Sequence, residues 1–198
     1  MNELGRHQMN PATILDFWFG APASGERGHS RAIWFKKDAT FDAALRTRFG
    51  AVHAEAAAGR VSAWEGAPEP ALALIIVLDQ FSRNLFRGAP ASFACDEAAL
   101  GLATCMVAKG WDGALLPVMR SFVYLPFEHS ENPISQDEAV RLFALLAREP
   151  GMADPLVWAE KHRDIIRRFG RFPHRNAILG RVSTPEEIEF LKQPGSSF

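Results

Sequence analysis

The chain has 198 residues, of which 47% are hydrophobic and 23% charged, with a formal net charge of −1. That length and apolar content suit a single domain over residues 1–198 with a sizeable core, and exclude a disordered chain. The near-zero balance argues against nucleic-acid and membrane-surface partners, which need a positive excess, although Arg163, Arg167, Arg168, Arg171, Arg175 and Arg181 crowd one region.

The predicted elements are helical almost throughout. Asn10 caps a first helix with Pro11 in its first turn, and Gly20 ends it. Residues 21–30 are rich in Gly, Pro and Ser and read as a loop. A second helix runs from about Ala39 to Ala58, with Phe41, Leu45, Phe49 and Val52 on its apolar face and Gly59 at its end. Pro70 opens a third, apolar on every side over Leu72 to Leu78, which marks a central buried helix. It is expected to end at the Arg83-Asn84 stretch. A fourth helix spans about Asp96 to Lys109, and Pro117 starts a short one expected to stop near Pro126. Ser135 to Glu138 has the pattern of a capping box. Asp154 caps, with Pro155 in its first turn, the helix that ends at Gly170, and Thr184-Pro185 opens the last one. No stretch alternates long enough for a strand. The fold class is therefore all-α, with antiparallel helical pairs joined by short connections.

Cys95 and Cys105 lie on one predicted helix roughly 15 Å apart, too far for a disulfide. They read as reduced thiols of a cytoplasmic protein. The N-terminus lacks the pattern of a signal peptide. The longest apolar run, Ala71 to Leu78, is too short to span a bilayer.

Two stretches echo each other about 90 residues apart: Phe81-Ser82-Arg83-Asn84 with Gly88, and Phe172-Pro173-His174-Arg175-Asn176 with Gly180. The echo suggests two similar halves. Arg and Asn at the exit of a buried helix need hydrogen-bond partners, so they are helix-end locks or parts of a site. Asp79-Gln80 beside Arg83-Asn84 offers a desolvated ion pair, an arrangement that recurs at sites. Glu128-His129-Ser130-Glu131 combines two acids, an imidazole and a hydroxyl. It suits an acid–base centre, a poorer metal site, or a set of loop caps. On the Asp154–Phe169 helix, His162 falls at the centre of the side holding Trp158, Ala159, Ile165, Ile166 and Phe169. It is a core histidine with a buried partner, a pocket histidine or, least well, a metal ligand. Asp164 falls opposite, within reach of Arg167 or Arg168. No GxSxG, P-loop or dinucleotide-binding glycine pattern is present.

Taken together, Leu78 to Gly88, Tyr124 to Glu131 and His162-Arg163-Asp164 leading into Gly170 to Asn176 resemble the bacterial family called domain of unknown function 924. Asp16-Phe17-Trp18-Phe19-Gly20 and Trp34-Phe35 fit it as well. The resemblance covers about Ile14 to Leu191 and departs at Ser82, where the pattern has proline. It implies an all-helical fold similar to tetratricopeptide-repeat arrays and carries no established activity, although the 34-residue repeat consensus itself is not readable.

Three functional expectations follow. The first is a binding protein that takes a peptide or small anionic ligand in a groove between helices. Arg83, Arg175 and Arg163 would pair with the anion, Asn84 and Asn176 would orient it, and Asp79, His162 and His174 would line the site. The second is an enzyme without metal or organic cofactor, with His129 as the acid–base group, Glu128 or Glu131 orienting it, and Arg83 or Arg175 stabilising negative charge. The third is a structural interaction protein whose polar motifs are all locks. Ligand identity and oligomeric state are open, and no nucleic-acid or membrane partner is expected.

Overall fold

The computed structural model describes residues 10–197. The expectation about a leader concerns the segment before Asn10 and lies outside the described residues. The α-helices in chain order are α1 (Pro11–Phe19), α2 (Ala39–Ala57), α3 (Pro68–Ile75), α4 (Ser82–Leu85), α5 (Asp96–Ala108), α6 (Pro117–His129), α7 (Pro133–Leu146), α8 (Asp154–Phe169) and α9 (Pro185–Leu191). A π-helical segment, Ile76–Phe81, joins α3 to α4 without a break. Among the described residues there is no strand.

Local chemistry explains most of the boundaries. The Asn10 side chain accepts from Ala12 N, that of Asp38 from Thr40 N and Phe41 N, and Thr184 and Glu187 form a reciprocal capping box. Gly20 closes α1 at φ 88°, and a Cβ there would meet Ser24 Oγ at 2.6 Å, so the turn admits glycine alone.

The core is built around α3 and the π segment, whose residues Ala71 to Phe81 are all buried. They pack against α1, α2, α5 and α6, while α5 to α8 pack successively on one another. Trp18, Trp34 and Phe122 interlock, with the Trp34 and Phe122 rings 4.8 Å apart. The Trp34 indole N–H donates to Trp18 O at 2.9 Å. Each such buried ring contributes roughly 1.5–3 kcal/mol. Ile165, Ile166 and Phe172 form a separate small cluster with Phe169 and Phe190 against it.

One helix end falls where expected and other expectations are corrected. The buried helix ends within the Arg83-Asn84 stretch, at Leu85 on α4, which it reaches through the π turn. Pro126 does not stop its helix; it lies buried inside α6, where packing offsets the missing N–H, so Glu128 and His129 sit on the last helical turn rather than in a loop. The cap of α7 is Asn132 rather than Ser135, since Pro133 takes the first helical position. Ala153, not Asp154, precedes α8, and Trp158 on that helix is 47% exposed rather than core. The two echoing stretches adopt unlike structures, α-helix at Arg83 and a 3₁₀ turn, Pro173–Arg175, at the second.

One stretch among the described residues, Pro90–Ala108, is 19 residues long with mean hydropathy 1.3, enough by length and composition to cross a membrane. It comprises a 3₁₀ turn, Pro90–Phe93, followed by α5. The 13 residues of α5 span about 20 Å against a hydrocarbon core of about 30 Å.

The last carbonyls of α6 have no helical partner, and Gln136 supplies one. Its amide donates to Glu128 O and Ser130 O, each at 2.6 Å, and the residue is fully buried. Gln136→Leu strands those carbonyls and is expected to lower stability by about 2 kcal/mol in urea unfolding. A change below about 0.5 kcal/mol would show that the cap contributes nothing.

A candidate acid–base site at the end of helix α6

The site begins with Asp79, 1% exposed in the π segment. A buried carboxylate must be paired and hydrogen-bonded or it destabilises the fold by several kcal/mol. His129 Nδ1 lies 2.7 Å from its Oδ1. Arg83 Nη1 lies 2.9 Å from the same oxygen and donates to Asp79 O at 2.9 Å. Gln80 Nε2 donates to Oδ2 at 2.6 Å. Burial alone would raise the Asp79 pKa; the Arg83 guanidinium, His129 and Gln80 outweigh it and hold the carboxyl well below the usual range. Burial and Arg83 push the His129 ring down, against the pull of Asp79, so it is neutral at pH 7. Nδ1 is engaged with Asp79, which leaves Nε2 without a protein partner among the described residues, on a side chain that is 15% exposed.

The second arginine closes the other side. Arg175 Nη2 donates to His129 O at 2.9 Å, satisfying a further carbonyl at the end of α6. Its guanidinium lies over Phe93 at 4.6 Å and over Phe172 at 4.5 Å. Asp96, the first residue of α5, joins both arginines. It accepts from Arg83 Nη1 and Nη2 at 2.9 and 3.1 Å and lies 3.5 Å from Arg175 Nη1. Burial and the neighbouring Arg83 lower the Arg175 pKa to about 10. His162 stands behind, its Nδ1 between Trp158 O at 2.8 Å and Glu128 Oε1 at 3.0 Å, with its ring 6.5 Å from that of His129. Phe172 packs its ring on both His162 and His174.

Asp79, Arg83, Glu128, His129, His162, His174 and Arg175 therefore come together. Asn84 and Asn176 bond elsewhere. Asn84 donates to Asp42 at 2.7 Å, an acid it shares with Arg87. Asn176 ties Ser183, Glu187 and Arg181 and so builds the C-terminal hook. The expectation that Glu128 or Glu131 orients His129 is corrected: Asp79 does so, while Glu128 faces His162 and Glu131 accepts from Arg181 and Phe172 N. Arg163 joins no anion site; it lies 3.7 Å from Asp164, which pairs with neither Arg167 nor Arg168.

Asp96 is the member that sequence reading missed, because an acid at a helix start reads as a dipole partner. Two surface cavities lie elsewhere, one of about 430 Å³ in the 25–33 loop and one of about 290 Å³ between Leu74, Leu78, Gly101 and Cys105. Among the described residues no group of His, Cys, Asp and Glu is arranged to hold a metal ion.

Comparison with known proteins places the chain in a family. Residues 14–195 match the model described as "Bacterial protein of unknown function (DUF924)", and the chain belongs to that family. It is also similar to a solved structure, the protein of unknown function ATU0120 from Agrobacterium tumefaciens. The identity is 42%, the TM-score 0.80, and the match covers 92% of this chain and 96% of that one. No curated protein matches.

Burial, then Arg175, lowers the His174 pKa to about 3. In the unfolded chain the ring takes its proton near pH 6.5. The unfolded state therefore binds the proton first, and stability falls as pH drops below about 6.5, levelling off only near the folded value. His53 and His129 shift in the same direction. Asp79 works in a lower window, losing its contribution only below about 3.9 as the carboxylate protonates. Urea unfolding near pH 5 should show His174 alone withdrawing about 2 kcal/mol relative to neutral pH. His174→Gln should flatten that limb; an unchanged slope would remove His174 as its source.

Proposed function

We propose that this protein is an enzyme of the general acid–base type, with His129 as the group that takes and returns a proton and Asp79 as its positioning residue. The observation that carries the reading is the 2.7 Å contact between His129 Nδ1 and the buried Asp79 carboxylate. A carboxylate only accepts, so it selects the tautomer with the proton on Nδ1 and the lone pair on Nε2. A lowered pKa keeps that lone pair available at neutral pH. A lock at the end of a helix needs no ring nitrogen left open, and here one is.

The reaction class is proton abstraction, or activation of a water or hydroxyl nucleophile, on a small polar substrate. Arg83 shares the Asp79 oxygen with the ring and Arg175 bonds the His129 carbonyl, so both cations are near enough to stabilise negative charge developing at the site. The step assigns no metal or organic cofactor a role. Reduced Cys95 and Cys105 suit a cytoplasmic setting for it.

Two measurements test the reading. Nitrogen-15 spectra of the histidines should show His129 neutral at pH 7 with the proton on Nδ1; a proton on Nε2 would leave no base and overturn it. Turnover of a panel of small esters, amides and phosphate esters should fall about 10²–10⁴-fold in His129→Gln, whereas equal rates in variant and wild type would end the proposal.

A further inference from the structure

The arrangement around Asp96 points to a ligand class: Asp96 is an internal stand-in for a phosphate-type oxyanion, which displaces it from Arg83 and Arg175 when the ligand binds. This deepens the acid–base reading, since the anion would sit beside His129. It is carried by different residues.

Charge balance comes first. Arg83 and Arg175 are two cations within one shell, and Asp79 and Asp96 are the anions that pair with them; Glu131, which also acts on Arg175, is matched by Arg181. Asp79 is fixed at the bottom by three partners and is 1% exposed. Asp96, with its side chain 18% exposed, is the outer of the two. When its carboxylate turns away, one positive charge remains uncompensated in a low-dielectric setting, and a ligand carrying at least one negative charge restores the balance. Asp96 has a second favourable position to turn to, because an acid in the first turn of a helix interacts well with the helix N-terminus.

Geometry then selects the kind of anion. A charge-assisted N–H···O contact is about 2.7–2.9 Å long. Asp96 meets Arg83 with both oxygens at 2.9 and 3.1 Å but stays 3.5 Å from Arg175. Its two oxygens serve one guanidinium and fall short of the other. Arg175 also keeps a donor unused: Nε is buried and has no hydrogen-bond partner, although the residue is only 7% exposed. A buried donor left unmade in this way destabilises the fold unless a ligand satisfies it. A group with more acceptor oxygens than a carboxylate, spread tetrahedrally, can satisfy Arg83 and still bond Arg175. Phe93, at 5.9 Å from the Arg83 guanidinium carbon and 4.6 Å from that of Arg175, is common to both guanidiniums.

Calorimetric titration with inorganic phosphate and, separately, with acetate tests this on the full chain. Asp96→Asn should bind phosphate about tenfold or more tightly than wild type, acetate should bind the variant less well than phosphate, and adding Arg175→Gln should abolish the gain. If Asp96→Asn is unfolded alone, phosphate should restore its cooperative thermal transition more effectively than acetate. A folded Asp96→Asn with no phosphate binding, an unfolded one that phosphate fails to restore, or acetate binding as tightly as phosphate would each overturn the assignment. His129→Gln separates the two readings: it should keep the phosphate response of the wild-type chain, so loss of turnover and loss of anion binding fail independently.

Discussion

A carboxylate taken out of water at Asp79 is the constraint on which this end of the molecule depends. Left unpaired it would cost several kcal/mol, a large part of an ordinary domain's stability. Its partners come from three places: Gln80 beside it, Arg83 one turn on, and His129 fifty residues away. The first two are local and form with the helix. The third requires α6 to be long enough to bring its last turn over the π segment, which is why the passage of that helix through Pro126 matters. Had the chain turned at Pro126, the imidazole would not reach and the buried charge would lack a partner.

The C-terminal hook is attached by the same kind of force. The small cluster of Ile165, Ile166 and Phe172 is separate from the main core, and its apolar area alone is modest. Arg181 forks onto Glu131, Arg171 onto Glu187, and Arg175 reaches His129 O. Glu187 is buried, and Arg171 holds its pKa down to about 2. The crowd of arginines seen in the sequence is therefore engaged in ion pairs across the fold. Arg167 and Arg168 face Asp137 and Glu186, and the others meet acids as well. Near-neutral net charge and a dense local basic run are reconciled by pairing across the fold.

What could be read in advance divides along the range of the interaction. The cap at Asn10, the helix start at Thr184, the helix ends at Gly20 and Gly59, and the buried run at Leu72 are set by neighbours in sequence, and all of them appear in the fold. Pro126 misled because local propensity was opposed by burial of the whole helix, a term that depends on α3 and α7. The members of the site were legible as residue types that need partners. Their pairing was not, since Asp79 and Glu128 are equivalent candidates for His129 until α6 is placed. Asp96 was hidden for a different reason: its local role as a helix-start acid is a sufficient account by itself, and nothing in the sequence says that two arginines converge on it.

That convergence also blurs the distinction between a lock and a site. Arg175 satisfies a carbonyl at the end of α6, lies over two aromatic rings and faces Asp96, all of which a structural role explains. Its Nε is nevertheless buried without an acceptor, and its contact to the counter-ion is 3.5 Å long. Stability favours closing such gaps, and proteins retain them where another interaction needs the room. The hydrogen bonds that are complete here, those of Asn84 and Asn176, hold the frame. Two incomplete ones meet at this site, at Arg175 and at Nε2 of His129, and there an outside molecule has something left to bind.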